Sequence, residues 1–103
     1  MTFESQVCFT PLNIPMERME ELHRLMTLCD IAHIKLSAIK FFQNGFLITF
    51  EGYEHGDAIL HDNSYGNTEL MWETIGFPWD YDDVSTHTSL ELVSLIQDLK
   101  YLT

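Results

Sequence analysis

Gln43-Asn44-Gly45 stands between two runs rich in β-branched and aromatic residues, Ile31 to Phe42 and Phe46 to Phe50. Asn-Gly accepts the positive φ angles of a tight turn, so this junction demands an antiparallel hairpin and is the strongest local signal in the chain. Gly52 and Gly56 punctuate a second turn, after which Asp57-Ala58-Ile59-Leu60-His61 reads as the next strand of a meander. Phe3, Val7 and Phe9 alternate in the manner of a further strand, ended by Pro11.

Helical periodicity flanks these strands. Met16, Met19, Leu22, Leu25, Met26 and Cys29 recur at spacings of three and four, which predicts a helix over 15–29 with Pro15 in its first turn. Glu17, Glu20, Glu21, Arg18 and Arg24 fall largely on the opposite side. Thr68 to Ile75 reads as a short helix with Leu70, Met71 and Ile75 near one face, and Gly76-Phe77-Pro78-Trp79 as a rigid aromatic loop. Thr88 and Glu91 form a capping box ahead of the apolar stripe Leu92, Val93, Leu95, Ile96, Leu99 and Leu102. Together these elements predict an α+β fold: an antiparallel sheet of three to four strands, with a helix near the N-terminus and a C-terminal helix packed on one face. At 103 residues, 46 % of them hydrophobic, residues 1–103 are expected to form a single domain with a modest core.

The charges are unevenly placed. The formal net charge is −11, yet no lysine or arginine occurs between Phe41 and Leu99. That span holds Glu51, Glu54, Asp57, Asp62, Glu69, Glu73, Asp80, Asp82, Asp83, Glu91 and Asp98. The field over that part of the molecule repels nucleic acid and anionic membrane and attracts cations and basic proteins. No apolar run approaches a membrane span. Met1-Thr2-Phe3-Glu4-Ser5 has neither a basic head nor an apolar stretch, so no export signal is expected there, and Cys8 and Cys29 are expected to be reduced, buried thiols of a cytoplasmic protein.

Several patterns bear on chemistry. His55, Asp57 and His61 have the even spacing that shares one strand face, and imidazole with carboxylate suits zinc or manganese, the ligand set of a small metal-dependent hydrolase. Asp62 then points the other way. Asp80-Tyr81-Asp82-Asp83 with Glu91 has acids at the first, third and twelfth positions of a calcium loop, but Val84 and Ser85 stand where that loop requires a ligand and a glycine. Cys8 and Cys29 have no cationic company to favour a thiolate. No phosphate loop, nucleophile elbow or dinucleotide fingerprint is present. The expectation is therefore a protein without enzymatic activity and without a cofactor. Tyr65, Trp72, Phe77, Trp79 and Tyr81 lie among carboxylates, and such aromatic and acidic groups together suit contact with arginine. Trp72 and Phe77 could equally close the core under the last helix, whereas Trp79 and Tyr81, set between charges, are expected to be exposed.

Gly56-Asp57-Ala58, Ser64-Tyr65-Gly66, the stretch from Leu70 to Asp80 and Asp83-Val84 give residues 56–98 a style of sequence that resembles small acidic proteins of phages and mobile elements in Firmicutes, some of which are anti-CRISPR inhibitors. The resemblance implies an acidic face that occupies the guide, target or PAM-reading groove of a Cas effector nuclease. Alternate residues of a strand stand about 6.6–7 Å apart, close to the spacing of neighbouring phosphates. Arginines that grip base edges offer a fork that a carboxylate also fits. The expected partner-binding set is Glu51, Glu54, Asp57, Glu69, Glu73, Trp79, Asp80, Tyr81, Asp82 and Asp83, facing a basic nucleic-acid-binding protein, with no direct contact to nucleic acid or membrane. An acidic immunity or antitoxin-like partner, or a homodimer packed through its helix stripes, is the alternative.

Overall fold

The structure, a computed structural model, describes residues 13–80 and 83–102, with side chains through residue 99. The strand expected over Phe3, Val7 and Phe9, Cys8, and the site residues Tyr81 and Asp82 lie outside the described residues. Two helices and five strands follow in the order α1 (Met16–Ile31), β1 (Leu36–Phe42), β2 (Gly45–Phe50), β3 (Asp57–Leu60), β4 (Trp72–Ile75), β5 (Ser85–His87) and α2 (Ser89–Leu102). The strands pair antiparallel in chain order, so the sheet is an unbroken meander. This is the expected α+β class, with five strands in place of three to four. No helix among the described residues is long and apolar enough to cross a membrane.

The hairpin forms, but one position earlier than Asn-Gly would place it. Phe42 pairs with Gly45, and the two turn residues at positive φ are Gln43 (51°) and Asn44 (58°). Gly45 instead opens β2, and a Cβ there would lie 1.9 Å from the Leu60 carbonyl oxygen of β3. This glycine is required by strand approach rather than by the turn. Alternation along the strands then builds the core. Phe46, Ile48 and Phe50 of β2, Ala58 and Leu60 of β3, and Trp72 and Thr74 of β4 are fully buried on one face. Leu22, Leu25 and Cys29 of α1 and Leu92, Val93 and Ile96 of α2 close that face from above. Burial pushes the Cys29 thiol up to about 11, so it is an inert core group.

Two expectations are corrected. The segment Thr68 to Ile75 is not a helix. Asn67–Glu69 makes a single 3-10 turn, Leu70 then takes a left-handed conformation (φ 58°), and Trp72 to Ile75 runs as β4. Left-handed backbone at Leu70 ends any helix, and burial of Trp72 and Thr74 at period two rewards a strand. The buried face of α1 is also rotated from the apolar stripe. Arg18 and Glu21 are inside, while Met16, Met19 and Met26 are 69 %, 42 % and 42 % exposed. The cause is a pair of polar bridges. Arg18 Nη1 donates to Asn44 O and to Asp62 Oδ1, each at 2.8 Å. Glu21 accepts from Ser89 Oγ of α2 and pairs with Arg24, and Ser89 Oγ in turn accepts from the Trp72 indole N–H at 2.9 Å. Pro15 serves as the N-cap of α1, its carbonyl accepting from Arg18 N and Met19 N. Left-handed His33 follows the other end, with Ile34 N–H returning to Cys29 O. The capping box of α2 is present in both directions, Thr88 N to Glu91 Oε1 at 2.8 Å and Glu91 N to Thr88 Oγ1 at 3.2 Å.

These two kinds of polar contact separate in a stability measurement. Thr88→Ala removes a solvent-exposed cap and is expected to cost about 1 kcal/mol. Ser89→Ala strands the buried Trp72 N–H and Glu21 carboxylate and is expected to cost more, about 1–3 kcal/mol. Urea unfolding followed by tryptophan fluorescence reads both; a Ser89→Ala loss no larger than that of Thr88→Ala contradicts the buried bridge.

Candidate partner-binding surface

A meander puts alternate loops at opposite ends of the sheet. The β2–β3 loop (51–56) and the β4–β5 loop (76–84) share one end, here the loop end. The β1–β2 turn (43–44) and the β3–β4 loop (61–71) share the other. The two loops of the loop end are packed together: a Cβ on Gly56 would sit 2.7 Å from the Phe77 ring, and one on Gly76 would sit 2.3 Å from His55 O. Gly76 also holds φ at 88°, so it is constrained twice. Phe77 stacks on Trp79 with centroids 4.4 Å apart and planes at 5°.

Of the ten expected site residues, this end carries Glu51, Glu54 and Asp83 as exposed groups and Asp57 as a half-buried one. Glu54 is anchored by the Gly52 N–H, which donates to Oε2 at 2.9 Å. That bond, with one from its own backbone N–H, holds the carboxyl below its ordinary value. Glu69 is exposed at the opposite end, so it does not join this group.

Glu73, Asp80 and Trp79 are not where an exposed site needs them. Glu73 is 8 % exposed, and its Oε1 accepts from Tyr65 N at 2.7 Å. Asp80 is 4 % exposed and is the lock of the β4–β5 loop. Its Oδ1 accepts from Thr74 Oγ1 at 2.9 Å and Ser85 Oγ at 2.5 Å, and its Oδ2 from Phe77 N at 3.2 Å. Trp79 is half-buried, with its indole N–H donating to Thr74 Oγ1 at 3.0 Å. Trp72 and Phe77 are core.

Asp80, Ser85 and His87 bring the three residue types of a hydrolytic triad together, in the wrong order. His87 Nε2 lies 2.7 Å from Ser85 Oγ, but Ser85 donates its only proton to Asp80. His87 must then supply the proton of its own contact, so the imidazole is not placed to activate the hydroxyl. Serine stands between acid and imidazole, where a triad puts histidine.

The metal reading fails on geometry. His55 precedes β3 and is exposed, whereas His61 follows β3 and is buried, and six residues of extended chain span about 20 Å. Among the described residues no three His, Cys, Asp or Glu side chains are grouped to hold a metal ion. His61 has a packing role instead. Its ring lies 4.7 Å from the Phe42 ring, and its Nδ1 accepts from Asn63 N at 3.1 Å. Burial lowers its pKa; Glu73 and Asp62 oppose this and Arg18 adds to it. The neighbouring Asp62 is held below its ordinary value by Arg18 first and Asn44 second. Sequence reasoning missed Arg18, Glu21 and Asp62 as fold-making charges, because nothing local marks an arginine on a helix as the partner of an aspartate 44 residues away.

No protein-family model, curated protein or solved structure matches the chain.

Two outcomes follow from these roles. Asp80→Ala removes the acceptor shared by Thr74 Oγ1, Ser85 Oγ and the buried Phe77 N–H and is expected to cost about 2–4 kcal/mol in urea unfolding; a surface acid would cost almost nothing. His61 binds its proton less readily when folded than when unfolded. Its contribution is complete above the ordinary imidazole value of about 6.5 and is lost as pH falls below that value and through the lowered folded one. His61→Gln is expected to unfold with a shallower pH dependence than the parent between about pH 7.5 and pH 5; parallel curves contradict the assignment.

Proposed function

We propose that this protein is a non-enzymatic acidic inhibitor that binds a basic nucleic-acid-handling protein, with its carboxylates standing opposite arginines and lysines that otherwise hold phosphate. The observation that carries the reading is the docking of the 51–56 loop onto the 76–84 loop, which brings Glu51, Glu54, Asp57 and Asp83 to one end of the sheet, with Lys35 across from Glu51 as a basic neighbour. Carboxylates held by a folded loop engage arginine without first being ordered, which lowers the cost of binding. Glu54, pinned by Gly52, is the clearest case. The resemblance noted for residues 56–98 suggests a Cas effector nuclease, with this end in its guide, target or PAM-reading groove and the encounter in the bacterial cytoplasm. A basic toxin held by an immunity-like partner presents the same chemistry.

A second reading, a homodimeric interaction module, is favoured by one observation: Met16, Met19 and Met26 are exposed along α1, and Ile31 at its end is 71 % exposed. Patches of this kind mark contact surfaces.

Binding to a purified Cas effector and to a basic toxin, each at low and moderate salt, tests the first reading. Affinity is expected to fall as salt rises. The combined variant Glu51→Gln, Glu54→Gln, Asp57→Asn, Asp83→Asn is expected to bind about tenfold or more weakly, while unfolding at the parent urea midpoint. Unchanged affinity in both comparisons contradicts the reading. A mass that doubles with concentration in sedimentation, abolished by Met19→Glu, supports the second reading instead.

A further inference from the structure

The edge strand β5 and helix α2 border a shallow, open groove. His87 lines one side, and Leu90, Glu91, Ser94 and Leu95 line the other, around a volume of ≈ 480 Å³. Leu90 is 66 % exposed and follows directly on the first residue of α2, Ser89, which is buried. The helix commits Leu92, Val93 and Ile96 to the core, so Leu90 is an apolar side chain left out of it.

The polar atoms on these walls ask for a donor. Asp80 takes the Ser85 proton, so His87 donates from Nε2 to Ser85 Oγ. Glu91 brings a carboxylate, one oxygen of which receives the Thr88 N–H. The residues that line the groove include no lysine or arginine. An occupant therefore needs an apolar part for Leu90 and Leu95 and a cationic donor for Glu91. Arginine and lysine side chains combine an aliphatic stem with such a head. A second copy is disfavoured, because it would bring another −11 chain and another Glu91 to the same place.

We infer that the β5–α2 groove is a second contact site of the same basic partner, receiving a segment in which leucine-like and arginine or lysine side chains alternate. The inference rests on the inhibitor reading above and extends it from the loop end to the α2 flank. A larger footprint of this kind combines an apolar anchor with a charged surround, the usual make-up of an interface centre.

The probe is a synthetic octapeptide of alternating leucine and arginine, with a control in which glutamate replaces arginine. Binding is measured by calorimetry, and leucine methyl shifts locate it. The arginine peptide is expected to move the Leu90 and Leu95 methyls, the glutamate peptide to move neither. Leu90→Ser is expected to weaken binding about tenfold, and Leu90→Met to restore most of it. Both variants should keep the parent urea midpoint, since Leu90 lies outside the core. The four-carboxylate loop variant is run in parallel. Binding that ignores Leu90→Ser but is lost in the loop variant overturns the groove and leaves the inhibitor reading standing. Binding insensitive to both variants, or no binding at all, counts against both. A concentration-dependent dimer that Leu90→Ser dissociates assigns the groove to a second copy and overturns the inference.

Discussion

A buried carboxylate holds the helical layer to the sheet. Glu21 of α1 accepts from Ser89 at the first residue of α2, and Ser89 accepts from the indole of Trp72 at the start of β4. Three elements far apart in sequence thus meet through one chain of hydrogen bonds. Leaving any member unpaired in a dry interior is costly, so the arrangement specifies how α1 is rotated. Arg18, on the same flank of α1, is tied to Asn44 and Asp62 and fixes the helix against the hairpin turn. The exposed methionines follow from this rotation. They are the apolar residues displaced when two charged side chains took the inner face.

The same logic sorts the carboxylates of the basic-free span. Glu73 receives a backbone N–H from Tyr65, and Asp80 gathers three donors to shape the β4–β5 loop. Asp62 answers Arg18, and Glu91 caps α2. These acids are spent on the fold. Glu54 and Asp83 accept from neighbouring backbone N–H groups and stay exposed, and with Glu51, which lies across from Lys35, and Asp57 they stand where two loops pack. The long tract without lysine or arginine thus contains two populations with different purposes: one makes the loops rigid, and the other is displayed by them.

Much of this architecture can be read from residue order, because its signals are local. The β1–β2 hairpin, the period-three-and-four stripe of α1 and the Thr88–Glu91 box each depend on neighbours within a few positions. The failures have equally physical causes. The turn slipped by one residue because Gly45 answers to β3, which no local pattern reveals. The buried face of α1 was misassigned because hydrophobic periodicity cannot see that Arg18 and Glu21 find partners at positions 62 and 89. Trp72 to Ile75 looked helical until a left-handed Leu70 cut it off from the preceding turn. Ser85–His87 is a strand with no apolar residue to announce it. Within the site, Glu51, Glu54, Asp57 and Asp83 were visible from composition, but the inward turn of Glu73 and Asp80 was not. An acid among acids reads as surface, and only the convergence of buried donors on Asp80 shows otherwise.

Zero-length carbodiimide cross-linking of the protein to its captured partner reads the contact of the loop-end carboxylates with a basic groove, since it joins carboxylates only to amines in contact. Links are expected from Glu51, Glu54, Asp57 or Asp83 to lysines in the nucleic-acid-binding groove of that partner. Links confined to acids of α1, such as Glu17, Glu20 and Asp30, or to lysines outside any such groove, would contradict that contact.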